Sequence, residues 1–428
     1  MRSFLDIFMH PNLTTFINKG SVEIIINVDV EVKFLIIHLK ELNITEITMS
    51  QDNINIEVLK TLEYVNYEQM YIEFKSILKP NVNYSLKMNF TKILEEKLEG
   101  FYISSYIDSS SEVKRYLATT HFEPTSARSA FPCFDEPSFK ATFFLKMVHD
   151  PNYQVLFNSE KREMISYNRD GLQLSIFDNT IRMSTYLVAF VVCDFKSKNT
   201  HTKEGIQVRV LVPRDSFNQS EYALKSASKV LSYFQEFFNI TYPLTKLDLV
   251  AVPDFGAGAM ENWGLVTFRT TLILFNEKHS NSEVQEDIDI VISHEIAHQW
   301  FGNLVTMKWW NDLWLNEGFA SYVENLGVDY LHPSWHMIDQ FVLTTTQEAL
   351  ALDSLRSSHP IMANVKDPRE IEALFDTISY KKGASLIRML RNFLGESTLR
   401  LGLKNYLNKY QYRNAETADL WKSLTDVS

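Results

Sequence analysis

Two histidines four residues apart, in the run His294-Glu295-Ile296-Ala297-His298, are the side chains of this sequence best spaced for chemistry. At positions i and i+4 of a helix their imidazoles stand one above the other, where both can hold one tetrahedral ion at about 2.0–2.1 Å. Glu295 projects roughly 100° round the helix, too far to join the ligand set but within reach of a water on the ion. The competing reading is two core histidines satisfied by hydrogen bonds. The flanking residues weigh against it. Asn281-Ser282 can cap a helix start, Glu283, Glu286 and Asp287 suit its first turns, and Ile288, Ile292 and Ile296 lie on one side with Val291 and Phe301 beside the histidines on the other. The pattern predicts a helix buried all round, and imidazoles in such a place need partners, of which a metal is the one their spacing offers.

A third ligand must come from elsewhere. Glu317 falls in residues 313–326, where Leu315, Phe319, Tyr322, Val323 and Leu326 have helical spacing. A helix returning against the first could set its carboxylate opposite the imidazoles, although Glu317 taken alone reads as a solvated helix carboxylate. Two His and one Glu leave a fourth position open to water, which marks a catalytic zinc and not a structural one. Gly258-Ala259-Met260-Glu261-Asn262 follows an apolar run at residues 247–255 that reads as a strand. Gly256 and Gly258 let another backbone come close, so the segment reads as a docking edge for an extended peptide.

The elements that would position these groups differ between the two halves. In the first, Val22, Ile24, Ile26, Val28 and Val30 alternate with Glu23, Asn27 and Asp29, and similar runs recur at residues 71–75, 84–90, 141–148 and 172–177. Period two over so many segments predicts antiparallel sheet. After a strand at 207–212 the pattern changes at Pro213. Ala223, Ala227, Val230, Leu231, Phe234 and Phe238 then take helical spacing until Tyr242-Pro243. The second half is expected to be mostly helical with one strand pair near its start, and the fold class α+β.

Composition narrows the function classes. At 428 residues with 45% hydrophobic content the chain can build two or three packed domains. A net charge of -11, from 42 basic and 53 acidic side chains, excludes the clustered basic surface that nucleic acid requires. Cys133 and Cys193 are the only cysteines, too few for a disulfide framework and expected as buried thiols. Residues 1–12 lack the basic start and apolar run of a leader, and no stretch reaches the ~18 apolar residues of a spanning helix. Six Asn-x-Ser/Thr sequons, at Asn12, Asn43, Asn83, Asn89, Asn218 and Asn239, are close to what this composition yields by chance.

Residues 294–320, HEIAHQWFGNLVTMKWWNDLWLNEGFA, with GAGAMENWGL at 256–265, closely resemble the zinc aminopeptidases related to aminopeptidase N and the endoplasmic-reticulum aminopeptidases. The resemblance extends to HFEPTSARSAFPCFDEP at 121–137 and SYKKGAS at 379–385. It implies a saddle-like β domain over residues 1–200 and a thermolysin-like catalytic domain over 201–428, shortened at its C-terminal end. It further implies one Zn2+ per chain held by His294, His298 and Glu317, Glu295 as general base, and Tyr380 as donor to the oxyanion. Glu261 would take the α-ammonium of a peptide with a free amino end, Glu123 would be a second acid on that side, and Gly258, Ala259, Met260 and Asn262 would bind substrate. Taken alone, Tyr380 reads as core packing and Glu123 as a surface carboxylate. Glutamyl-specific members tend to carry an acid two positions before the Glu of FEPT; His121 stands there, which implies a neutral or broad first-residue preference. Members act at the cell surface or in the secretory lumen, with the cytoplasm as the alternative for a chain showing no leader. Two other functions fit the same residues: a thermolysin-like endopeptidase, and a non-catalytic peptide binder or decoy.

Overall fold

A computed structural model of the chain describes residues 3–168 and 170–428; Met1 and Arg2, where the leader reading begins, and Arg169 lie outside the described residues. The chain divides into two units, Met1–Phe195 with Pro253–Gly256, and Lys196–Val252 with Ala257–Ser428.

In the first unit the alternating runs become strands, because period two places every second side chain on the covered face. Within Ile17–Asn27, Val22, Ile24 and Ile26 are fully buried, while Glu23 and Ile25 between them are not. The strand stops at Asn27, short of the expected Val30, because its register partner Asn83 begins the neighbouring strand Asn83–Ile93 and the ladder runs out there. Sheets of eight, four and three strands build the unit. Pairing is antiparallel except where Ser3–Pro11 runs parallel to Ala141–His149, a distinction that alternation cannot reveal because both senses share the same period.

The segment at 121–137 forms a buried clamp in this unit. Arg128 is 2% exposed; its Nε donates to Asp135 Oδ2 at 2.9 Å, its Nη2 to the Asp135 carbonyl at 3.0 Å, and its Nη1 to Glu68 Oε2 at 3.1 Å. The backbone N–H of Asp135 donates to His38 Nδ1 at 3.3 Å. Cys133 and Cys193 are buried free thiols.

The second unit holds more sheet than the sequence suggested. Instead of one strand pair there is a five-stranded sheet, in the order Lys196–His201, Gln207–Val212, Lys246–Val252, Leu265–Arg269 and Ala259–Met260, and a separate pair, Val305–Met307 with Arg413–Ala415. The three central strands pair in parallel, and Lys246–Val252 is buried at every position. A strand covered on both faces shows no alternation, so the pattern could not announce it. It also ends at Val252 and not at Phe255.

Helix α1, Glu221–Phe238, follows. It is stopped by Asn239 in the left-handed conformation (φ 52°), whose N–H caps the carbonyls of Gln235 and Glu236, four residues before the Pro243 expected to end it. Helices α2, Ser282–Ala297, and α3, Trp314–Leu331, carry the site. Among the described residues no helix is long and apolar enough to cross a membrane.

Candidate active site

Asn281 caps α2 as expected, its side chain accepting from the Val284 N–H. The helix ends at Ala297, so His294 and Glu295 occupy its last turn and His298 its C-terminal cap. Contrary to expectation α2 is not buried all round. Ile288, Ile292 and Ile296 are covered, but Ile290, Val291 and His294 are only half-buried, because that face lines a cavity of about 310 Å³, and Phe301 lies beyond the helix.

Helix α3 is buried almost throughout its first three turns, where Glu317 is only 2% exposed and no solvated surface group. Two close approaches seat it. A Cβ on Gly327 would lie 2.7 Å from Ser293 Oγ of α2, and one on Gly318 would lie 2.9 Å from Gly383 Cα, at the start of the helix that follows Tyr380. Only glycine leaves room for the Ser293 side chain at the first position and for the Gly383 backbone at the second, and Gly318 is the immediate neighbour of Glu317.

The result is a converging set of three donor atoms. His294 Nε2 and His298 Nε2 are 2.9 Å apart, and Glu317 Oε2 is 3.3 Å from each. A tetrahedral ion with ligands at about 2.0–2.1 Å requires donor separations of about 3.3–3.4 Å, so the residues fit a zinc-sized ion. Each imidazole is held by its other nitrogen: His294 Nδ1 donates to Glu324 Oε2 at 2.6 Å and His298 Nδ1 to the Phe301 carbonyl at 2.9 Å. Both Nε2 atoms are thereby turned to the common point.

The charges agree with the geometry. Burial would push both imidazoles down in pKa, yet Glu317 and Glu324 hold His294 well above its ordinary range, and Glu261 and Glu317 bring His298 up to about 9. Burial pushes Glu317 the other way, and the two imidazoles more than offset it, holding the carboxyl low. Burial raises Glu295 to about 8 against the pull of the same imidazoles. Four carboxylates around two imidazoles stabilise positive charge at the centre, whether carried by a proton or a cation.

Ala259–Met260 is the edge strand of the five-stranded sheet, as a docking segment should be. Gly258 and Ala259 line the cavity with His294, Glu295, Glu324 and Tyr380, whereas Met260 and Asn262 are buried, Asn262 Nδ2 donating to Thr267 Oγ1 at 3.2 Å. Glu261 is 3% exposed, its Oε1 is 3.9 Å from His298 Nδ1, and that oxygen has no hydrogen-bond partner among the described residues. Tyr380 stacks parallel to the His294 ring, centroids 6.0 Å apart. Glu123 belongs to the first unit, half-buried on the segment after Val113–His121.

The Peptidase M1 N-terminal domain matches residues 3–187, and the Peptidase family M1 domain matches residues 222–428. The chain belongs to peptidase family M1. The M1 domain match contains the donor triad, Glu295, Glu261 and Tyr380, and the M1 N-terminal match contains Glu123 and the Arg128 clamp. Endoplasmic reticulum aminopeptidase 2 of Homo sapiens is 44% identical over 426 residues, 98% of this chain and 44% of its own length. Endoplasmic reticulum aminopeptidase 1 of Mus musculus is 42% identical over 99% of this chain and 45% of its own, and glutamyl aminopeptidase of Bos taurus 41% identical over 99% and 44%. The chain thus spans less than half the length of these M1 relatives.

Three supporting residues escaped the sequence reading. Glu324 lies seven residues after Glu317, two turns along the same face of α3, and that spacing could have flagged it. Gln299 and Asn303 donate to the Glu261 carbonyl at 3.3 and 2.9 Å, fixing the edge against the segment that carries His298. Only the tertiary fold brings those partners together.

Proposed function

We propose that this chain is a zinc aminopeptidase, with residues 1–200 as a β domain and 201–428 as the peptidase domain. It removes single residues from the free amino end of peptides, with a neutral or broad preference for the first residue. The observation that carries the reading is the convergence of His294, His298 and Glu317 within 2.9–3.3 Å beside two buried carboxylates, Glu295 and Glu261, that each keep an oxygen without a hydrogen-bond partner among the described residues. These three ligands would hold one Zn2+, which supplies Lewis acidity toward a water and the scissile carbonyl.

Glu295 takes the proton of the attacking water and returns it to the leaving amine, a role that suits a carboxyl whose pKa burial has raised. Tyr380, beside the His294 ring, donates its hydroxyl to the oxyanion. Gly258 and Ala259 present an edge strand along which an extended substrate lies, with Met260 and Asn262 fixing that edge from within. Glu261 receives the α-ammonium. An internal peptide bond brings no such cation and leaves a buried carboxylate unpaired, so cleavage is counted from the end of the chain.

The test is hydrolysis of an amino-acid amide and of its N-acetylated counterpart by the purified chain, with metal analysis alongside. Turnover of the free amine alone, lost in chelator and restored by zinc, is the expected result. Equal cleavage of the blocked substrate would make the chain an endopeptidase, and bound zinc without turnover of either would make it a peptide binder.

A further inference from the structure

Lys381 has no part in this mechanism, yet it lines the same cavity. Which part of a substrate it meets follows from the direction in which a peptide must lie, on the proposed aminopeptidase reading. Glu261, the ammonium acceptor, stands on the His298 side of the donor triad, 3.9 Å from His298 Nδ1. The cavity opens on the other side, lined by His294 and not by His298. The edge strand gives the same direction: Glu261 follows Ala259–Met260, while Ala257, Gly258 and Ala259 before it line the cavity. A peptide with its amine at Glu261 therefore runs antiparallel to this edge, and the residue after the scissile bond enters the cavity.

That part of the cavity is walled by Ile290 and Val291 of α2, and by Thr345 and Lys381. The walls combine aliphatic surface with one ammonium. The acids that line the cavity are otherwise engaged: Glu324 is bound to His294 Nδ1 at 2.6 Å, and Glu295 serves the reaction. Lys381 Nζ donates to the Thr344 carbonyl at 2.9 Å and to the Glu348 carboxylate. The carbonyl contact holds the ammonium in place. The Glu348 partner is 56% exposed and Lys381 35%, so their pairing is a surface ion pair that is cheap to exchange.

We propose that Lys381 is a specificity residue for the leaving side of the substrate, favouring a carboxylate there. The carboxylate is either an acidic side chain on the second residue or the free terminal carboxylate of a dipeptide. A substrate carboxylate replaces Glu348 as the partner of an ammonium already positioned in the cavity.

The experiment compares kcat/KM for amidated dipeptides sharing one neutral first residue, with Asp, Asn or Leu second, and for the Leu peptide with a free carboxylate. The full chain is used, with Lys381→Gln and Glu348→Gln variants. The expected result is a preference of about fivefold for Asp over Asn, or for free over amidated Leu, each ratio naming its own source of carboxylate. Lys381→Gln should abolish that ratio, and Glu348→Gln, which releases the ammonium from its competitor, should enlarge it. Turnover with ratios unaffected by either substitution would overturn the assignment while leaving the aminopeptidase reading intact. Absence of turnover from every substrate would remove both.

Discussion

Each of the two units buries a cluster of charges, and the clusters are built to opposite ends. In the first, Arg128 is clamped by Asp135 and Glu68, and Nε, Nη1 and Nη2 of its guanidinium each have an oxygen within 3.1 Å. The adjoining histidine is pushed down: burial, helped by the Arg128 charge, brings His38 to about 3, so it stays neutral and accepts the Asp135 N–H. In the second, histidines are pushed up by surrounding carboxylates, two imidazole nitrogens face each other at 2.9 Å, and Glu261 and Glu295 each keep an oxygen without a partner among the described residues. The first cluster satisfies itself and holds the fold. On the proposed function the second is completed by what it binds, a cation at its centre and an ammonium at its edge.

If that contrast is right, substitutions in the two clusters should separate chemistry from stability. Glu295→Gln keeps the shape and the ligand triad but loses the base. It should lower kcat by about 10²- to 10⁴-fold with zinc content and thermal midpoint unchanged. A variant that kept most of its rate would require another base, and one that lost stability would make Glu295 a structural member like Asp135.

Asp135→Ala should do the reverse. It strands a buried guanidinium by removing the carboxylate that accepts from its Nε and from the Arg128 N–H, which costs about 3–5 kcal/mol of folding free energy. Denaturant titration measures the loss, and the protein that remains folded should retain its kcat. An effect below about 1 kcal/mol would mean that Glu68 alone balances Arg128.

The smallest expected effect concerns pH. His38 has a folded pKa of about 3 against an ordinary value of 6.5. As the pH falls below 6.5 the unfolded chain takes up this proton and the folded chain does not. The stability contribution is therefore present above 6.5 and is lost toward 3, at up to about 1.4 kcal/mol per pH unit. His38→Gln should flatten the fall in denaturation midpoint between pH 6.5 and pH 5. An unchanged slope would place the acid sensitivity in other groups.

Much of the site was legible because local spacing sets it. An i, i+4 pair on a capped helix must stack its imidazoles whatever the rest of the chain does, and the glycines before Glu261 marked a segment that lies at the sheet edge. Composition and alternation also fixed the α+β class and the strand-rich first half. What escaped were features that depend on which surfaces meet. Lys246–Val252 shows no alternation because both its faces are covered, α2 was read as buried all round because a cavity wall is apolar like a core, and the Arg128 clamp joins residues 68, 128 and 135. The sequence by itself determined the two imidazoles, their adjoining carboxylate and the candidate third ligand, since a helix repeats every 3.6 residues. Only the tertiary structure decided that Glu317 is a buried neighbour of both histidines and not a solvated side chain. The reason is steric: α3 reaches α2 through Gly327 and the Tyr380 segment through Gly318, and whether two elements can close to that distance depends on residues far apart in the chain.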